Sequence, residues 1–257
     1  MGVIVSISNQ KGGVGKTTTA INLSASLAVA EKRCLLVDCD PQGNATTGLG
    51  IDRVKVNGGL YDLMLGSAAQ GDVIQETGVA GLNLISSSAE LMGAEVELAS
   101  LRHREYRLRN RLRSLRESYD YIFLDCPPSL GFMTINALTA ADSVLVPLQC
   151  EYYALEGLSQ LLKTIGAVRK GLNPSLRLEG ILLTMHDSRN NLALQVEEEV
   201  RGHFKEKVFK TIIPRNVRLS EAPSYGRPIL LYDIRSKGAQ SYLLLAKELM
   251  DRRQKGG

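Results

Sequence analysis

The sequence contains no run of the eighteen or so apolar residues that a membrane-crossing helix needs, and its start leads straight into a strand-like run rather than a secretion signal. It has no internal repeat, no low-complexity segment and no break in composition that would mark a linker. Cysteine is sparse. Cys34, Cys39, Cys126 and Cys150 stand in or beside apolar runs without C-x-x-C spacing, which favours free buried thiols over disulfides or zinc. Cys126 and Cys150 also lack the spaced, glycine-rich setting of an iron–sulfur cluster. A strong charge of one sign is missing too, since the net charge is only +4. These absences predict a cytosolic protein, and 257 residues with 44% hydrophobic content are enough for one α/β domain spanning 1–257.

The small excess of positive charge is unevenly placed. From His186 to the C-terminus there are 14 Lys/Arg against 9 Asp/Glu, whereas Met1 to Met185 holds 17 against 18. A weak, salt-sensitive attraction of the last third to a polyanion fits this distribution, and so does a solvated basic surface with no partner.

Strand-length apolar runs alternate with helix-length amphipathic stretches, the pattern of a doubly wound, mostly parallel sheet flanked by helices. Strands are expected at Val3–Ser8, Arg33–Asp38, Leu82–Ser86, Tyr121–Asp125, Ser143–Leu148 and Leu178–Thr184, with a short seventh near Thr211–Pro214. Helices are expected between them, including Lys16–Ala30, one continuous helix over Arg102–Glu117, and Ala239–Arg252. In such sheets ligands bind at the carboxyl ends of the strands.

The first strand runs into Asn9-Gln10-Lys11-Gly12-Gly13-Val14-Gly15-Lys16-Thr17-Thr18-Thr19. A strand, a glycine-rich turn and a helix start leave backbone N–H groups converging on one spot, which suits a polyphosphate. Lys16 adds a charge beside the β/γ-phosphates and the Thr17 hydroxyl is placed to ligate Mg²⁺. Against the pattern G-x-x-x-x-G-K-[ST], Gln10 occupies the first glycine position and a second lysine, Lys11, precedes Lys16 by five residues. Lys11 cannot easily fold back onto its own phosphates and is better placed to reach a nucleotide held by a second copy.

Two further strand ends carry acids. Leu35-Leu36-Val37-Asp38-Cys39-Asp40-Pro41-Gln42-Gly43-Asn44 places two carboxylates after a buried strand. They could hold a water of a Mg²⁺ shell or orient an attacking water, or Asp40-Pro41 could simply start a turn. Tyr121-Ile122-Phe123-Leu124-Asp125 ends an apolar strand in an acid, a Walker B pattern, although Asp125 could instead cap the helix that follows.

Lys11-Gly12-Gly13-Val14-Gly15-Lys16-Thr17 resembles the deviant Walker A motif of the ParA/MinD ATPases, and four blocks across nearly the whole chain are similar to the ParA/Soj partition family. The others are Asp38–Gln42, Pro147–Gly157 (P-x-Q-x-E-x-x-A-x-x-G) and Ile213–Ser224 (I-P-R-N-V-R-L-S-E-A-P-S). The resemblance implies an ATP- and Mg²⁺-dependent ATPase that closes as a homodimer, binds double-stranded DNA without sequence preference and is stimulated by a ParB-type partner at the nucleoid. It implies that Lys11, binding the partner's nucleotide across the dimer, Lys16 and Asp40 are catalytic. Gly12, Gly13, Val14, Gly15, Lys16, Thr17 and Thr18 would bind phosphate, and Pro214 and Asn216 the base. Thr17, Asp38 and Asp125 would serve the metal, and Arg189 and Arg218 would contact DNA. A membrane-surface ATPase of the MinD kind is the alternative. It is disfavoured because the tail Leu249–Gly257 lacks bulky apolar residues between its charges. The seven arginines of Arg102–Arg116 read as a basic helix face for DNA or an acidic partner, or as plain solvated surface.

Overall fold

In a computed structural model, which describes residues 1–56, 58–98 and 100–255, seven strands form one sheet in the order β3-β4-β2-β5-β1-β6-β7. The strands are β1 (Val3–Ile7), β2 (Cys34–Asp38), β3 (Ile74–Glu76), β4 (Leu82–Ile85), β5 (Tyr121–Asp125), β6 (Ser143–Gln149) and β7 (Arg177–Thr184). All neighbouring pairs are parallel except β3 with β4. The helices are α1 (Lys16–Val29), α2 (Asn44–Gly48), α3 (Leu60–Leu65), α4 (Gln70–Val73), α5 (Leu91–Leu98), α6 (Arg107–Leu112), α7 (Phe132–Ala140), α8 (Ala154–Gly171), α9 (Asn191–Phe204), α10 (Val217–Glu221), α11 (Ile229–Tyr232) and α12 (Lys237–Lys255).

The period of two along each strand divides the core between the faces of the sheet. Ile4, Leu35, Val37, Ile122 and Leu124 face α3 and α5–α9, while Val5, Ile7, Leu36, Phe123 and Leu145 face α1 and α12. Helix α12 turns Tyr242, Leu245, Ala246 and Leu249 to this second layer, where they are buried, and the Tyr242 hydroxyl lies 3.2 Å from that of Thr19 in α1. Among the described residues no helix is long and apolar enough to cross a membrane.

Two expectations fail for physical reasons, and one edge strand carries no sequence signal. The seventh strand near Thr211–Pro214 is a single bridge, His186 with Pro214. Pro214 has no N–H for a ladder, and the N–H groups of Lys210 and Thr211 donate to the Glu248 carboxylate, at 2.8 Å each, instead of to a strand. Arg102–Glu117 is broken. His103 takes a left-handed conformation (φ 57°), 3₁₀ turns occupy Arg104–Tyr106 and Ser114–Glu117, and only α6 between them is α-helical. Arg116 leaves the supposed basic face to bond the Gly2 carbonyl (3.1 Å) and Asp142 (2.7 Å). Finally, β3 was not anticipated, because three residues on an edge are too few to display a period.

Candidate functional site

The loop after β1 is shaped by its neighbours as much as by its glycines. Ser8 N–H donates to the Leu145 carbonyl (3.1 Å), Asn9 Nδ2 to the Pro147 carbonyl (2.7 Å), and the Thr184 hydroxyl to the Val14 carbonyl (2.8 Å). The ends of β6 and β7 thus clamp the turn. Gly13 (φ 74°) and Gly15 (φ 85°) supply left-handed steps that other residues adopt at a cost. Gly15 is the N-cap of α1, with no side-chain cap and no acid in the first turn, so the N–H groups and the positive end of the helix dipole remain for an external anion. Lys16 is buried, and its ammonium donates to the Lys11 carbonyl (2.9 Å). Burial lowers its pKa, against the pull of Asp125 and Asp40, so its charge is held ready for a stronger partner.

A cavity of about 720 Å³ opens over this loop. Gly12, Gly13, Gly15, Lys16, Thr17 and Thr18 line it together with Asp40, Asn44, Pro214, Asn216 and Pro223. The residues marked from sequence as phosphate- and base-binding therefore share one space, except Val14, which is buried, and Lys11, which is not on its lining. Asn216 caps α10: its Oδ1 accepts from Leu219 N–H (3.3 Å), which leaves Nδ2 as the free donor toward the cavity. Asp40 starts a turn and also lines the cavity. Its Oδ1 accepts from Gln42 N–H (3.0 Å) as a turn starter, while the side chain borders the cavity. Sequence reasoning overlooked Arg53, which clamps this turn through the carbonyls of Gln42 (2.7 Å) and Pro41 (2.9 Å); a lone arginine eleven residues away gives no local signal.

Asp38 and Asp125 sit opposite each other on adjacent strands and are fully buried, behind the cavity rather than on its lining. Asp38 is well bonded, accepting from Thr46 N–H (2.8 Å) and Oγ1 (2.7 Å) and from Asp40 N–H (3.3 Å). Burial nevertheless pushes its pKa up to about 6, aided by the Asp40 charge. Neither Asp125 oxygen has a hydrogen-bond partner. Burial and the Asp38 charge raise its pKa well above the carboxylate range, against the nearby Thr17 hydroxyl and Lys16. Orphaned, desolvated carboxylate oxygens beside a threonine hydroxyl suit the outer shell of a hard cation. Among the described residues no group of three or more His, Cys, Asp or Glu could hold a metal unaided, so such a cation would depend on nucleotide phosphates.

The sign of the pH effect follows. A carboxylate with a raised folded-state pKa keeps its proton longer in the fold than in the unfolded chain, so stability is lost as pH climbs from about 4 toward about 6 and stays lost above. Asp125→Asn is expected to raise the melting temperature of the nucleotide-free protein at pH 8 by about 2–4 °C, as relief of about 1 kcal/mol does in a chain of this size. The gain should shrink toward pH 4.5, and the extra stabilisation that Mg²⁺ adds to ATP should vanish. Thermal melts at both pH values check this, and an equal gain at both would contradict the assignment.

Arg189 and Arg218 lie outside the cavity. Arg189 is 88% exposed and bidentate to Asp187 (2.9 and 2.8 Å), whose carboxyl it holds far below the usual range. Arg218 bonds Glu221 (2.8 Å) and approaches Asp233 (3.6 Å). Their segments are joined by the His186–Pro214 bridge, in which Arg215 N–H donates to the His186 carbonyl (3.1 Å). All four cysteines are free and buried.

A mostly parallel sheet with a glycine-rich phosphate loop at the carboxyl end of β1, and buried acids at the ends of β5 beside it and β2 beyond, defines a P-loop nucleotide-binding protein of the class that carries a second lysine in the loop. The family model described as "AAA domain" matches residues 2–178. The chain is 62% identical over 252 residues to the chromosome partitioning protein ParA of Myxococcus xanthus (98% of this chain, 89% of the relative). It is 59% identical over 249 residues to the sporulation initiation inhibitor protein Soj of Bacillus subtilis (97% and 98%). Among solved structures it resembles cobyrinic acid a,c-diamide synthase of Mycobacterium smegmatis with bound ADP and magnesium (36% identity, TM-score 0.88, 100% and 97% covered). It also resembles the cell division ATPase MinD of Pyrococcus furiosus (26% identity, TM-score 0.82, 98% and 100% covered). The chain belongs to the ParA/Soj family of partition ATPases.

Proposed function

We propose that the chain is a single-domain, Mg²⁺-dependent ATPase of DNA partition, acting at the nucleoid and supporting chromosome or plasmid segregation. The observation that carries this is the division of labour between two lysines: Lys16 is buried inside the phosphate loop while Lys11 stands at its exposed rim, beside a Gly12 on which an added Cβ would meet nothing within 4 Å. A loop open on that side has room for a facing subunit.

In this reading ATP occupies the cavity with its phosphates on the N–H groups of Gly12–Thr18 and its base between Pro214 and Asn216. Thr17, with Asp38 and Asp125 through water, would hold Mg²⁺, which would supply charge neutralisation at the phosphates. Two copies close face to face, and Lys11 of each reaches the phosphates of the other, so that charge on both triphosphates is neutralised only in the dimer. Asp40, fixed by its own turn, orients the water that attacks the γ-phosphate, giving ADP and phosphate slowly. Closure aligns Arg189 and Arg218 of both copies on one surface. That surface binds double-stranded DNA through its phosphates, without reading bases. A ParB-type partner accelerates hydrolysis and so releases the DNA. The apolar face of α12 is occupied by α1, which favours this reading over a MinD-like cycle on a membrane. Closer sequence agreement with the partition proteins favours it over an amide-forming synthase.

The test is retention on nonspecific DNA with ATP, ADP or no nucleotide across a salt series. Retention is expected only with ATP and to fall steeply with salt. Arg189→Glu or Arg218→Glu should lower it at least about tenfold, since each reverses a phosphate contact on both copies, while ATP-dependent dimerisation persists. Nucleotide-independent retention, or charge reversals without effect, would refute the proposal.

A further inference from the structure

Lys11 is already engaged. Its ammonium pairs with the Glu151 carboxylate, 140 residues further along the chain. Glu151 lies in the turn between β6 and α8, where its N–H donates to the Gln149 carbonyl and its own carbonyl accepts from Ala154 N–H, both at 2.9 Å. Backbone geometry therefore sets its position. The lysine side is fixed by the same neighbourhood: Lys11 N–H donates to Asn9 Oδ1 (3.0 Å), and Asn9 Nδ2 reaches the Pro147 carbonyl (2.7 Å) on the strand that leads into the Glu151 turn. Both members of the pair remain accessible, 40% and 45% exposed, at the rim where Tyr152 and Tyr153 also face outward.

We propose that Glu151 is a positioning residue that holds Lys11 within its own subunit, and that dimer closure must exchange this carboxylate for the facing nucleotide's phosphates. The inference rests on the reading that Lys11 acts across the dimer. In the nucleotide-free chain Glu151 neutralises the rim, so Lys11 is not displayed as a free cation to every passing anion. A polyphosphate, with several charges, displaces a single carboxylate. Two-fold closure then breaks the pair twice. An exposed ion pair moves an equilibrium by up to about fivefold, so the dimerisation constant, carrying the square, moves by up to about 25-fold.

The experiment compares wild type, Glu151→Gln and Glu151→Asp as full chains. Lys11 acylation is followed by mass spectrometry without nucleotide, and dimerisation by sedimentation with ATP. In Glu151→Gln, Lys11 should label several-fold faster and the ATP dimer should tighten about 5- to 25-fold. ATP affinity at subunit concentrations below dimerisation should not change, and Glu151→Asp should return toward wild type. Raising salt should speed Lys11 labelling in wild type, a measurement that needs no variant to fold. A wild type that stays monomeric with ATP overturns the trans-acting lysine and this inference with it. A dimerising wild type whose Glu151→Gln form is equal or weaker in dimerisation, or unchanged in Lys11 labelling, overturns the role of Glu151 alone.

Discussion

Gly12→Val is expected to bind ATP within about threefold of wild type and to stay monomeric, with dimer association weakened at least about 100-fold, the cost of a steric clash of roughly 3 kcal/mol or more. The asymmetry comes from the loop. A Cβ built at Gly12 meets nothing within 4 Å in the single chain, and Gly12 is not among the positive-φ glycines. Valine should therefore fold at a cost within about 0.5 kcal/mol, as exposed substitutions do. Only something that approaches the loop from outside can object to the new methyl groups. Gly13 is a contrasting control: its φ of 74° strains any β-branched side chain, so Gly13→Val should damage phosphate binding itself. Sedimentation with ATP, alongside equilibrium ATP binding, checks the pair; a Gly12→Val dimer would show that the open side of the loop faces solvent throughout the cycle.

Asp40→Ala is expected to slow hydrolysis at least about 100-fold, the usual contribution of a positioned acid or base, while ATP and DNA remain bound. Asp40 borders the cavity with one oxygen tied to Gln42 N–H, so the carboxylate is held without a search over rotamers. Losing that turn bond costs about 1 kcal/mol, offset in part by relief of the repulsion that Asp40 exerts on Asp38 and Asp125. Single-turnover hydrolysis and DNA retention after dilution provide the readouts. Turnover near the wild-type rate would remove Asp40 from the chemistry, and loss of ATP binding would make it a structural residue only.

The legible parts of this chain are those in which function or burial forces a local pattern. Tyr121–Asp125 matches its expected bounds because continuous apolar burial leaves one local solution. The phosphate loop is legible for the same reason, since convergent N–H groups demand glycine at Gly13 and Gly15. What escaped depends on distant partners. Nothing near Arg116 announces Asp142, nothing near Lys210 announces Glu248, and both pairings replace regular structure that local pattern favours. Glu151 lies inside the Pro147–Gly157 block, yet its bond to Lys11 becomes visible only when β6 is laid beside β1.

The His186–Pro214 bridge has a mechanical consequence. It fastens the segment bearing Asn216, on the cavity lining, to the segment bearing Arg189, on the outer surface, by a main-chain contact rather than by side chains that could swing independently. Arg189, three residues after His186, and Asn216, two after Pro214, thus hang on one main-chain joint.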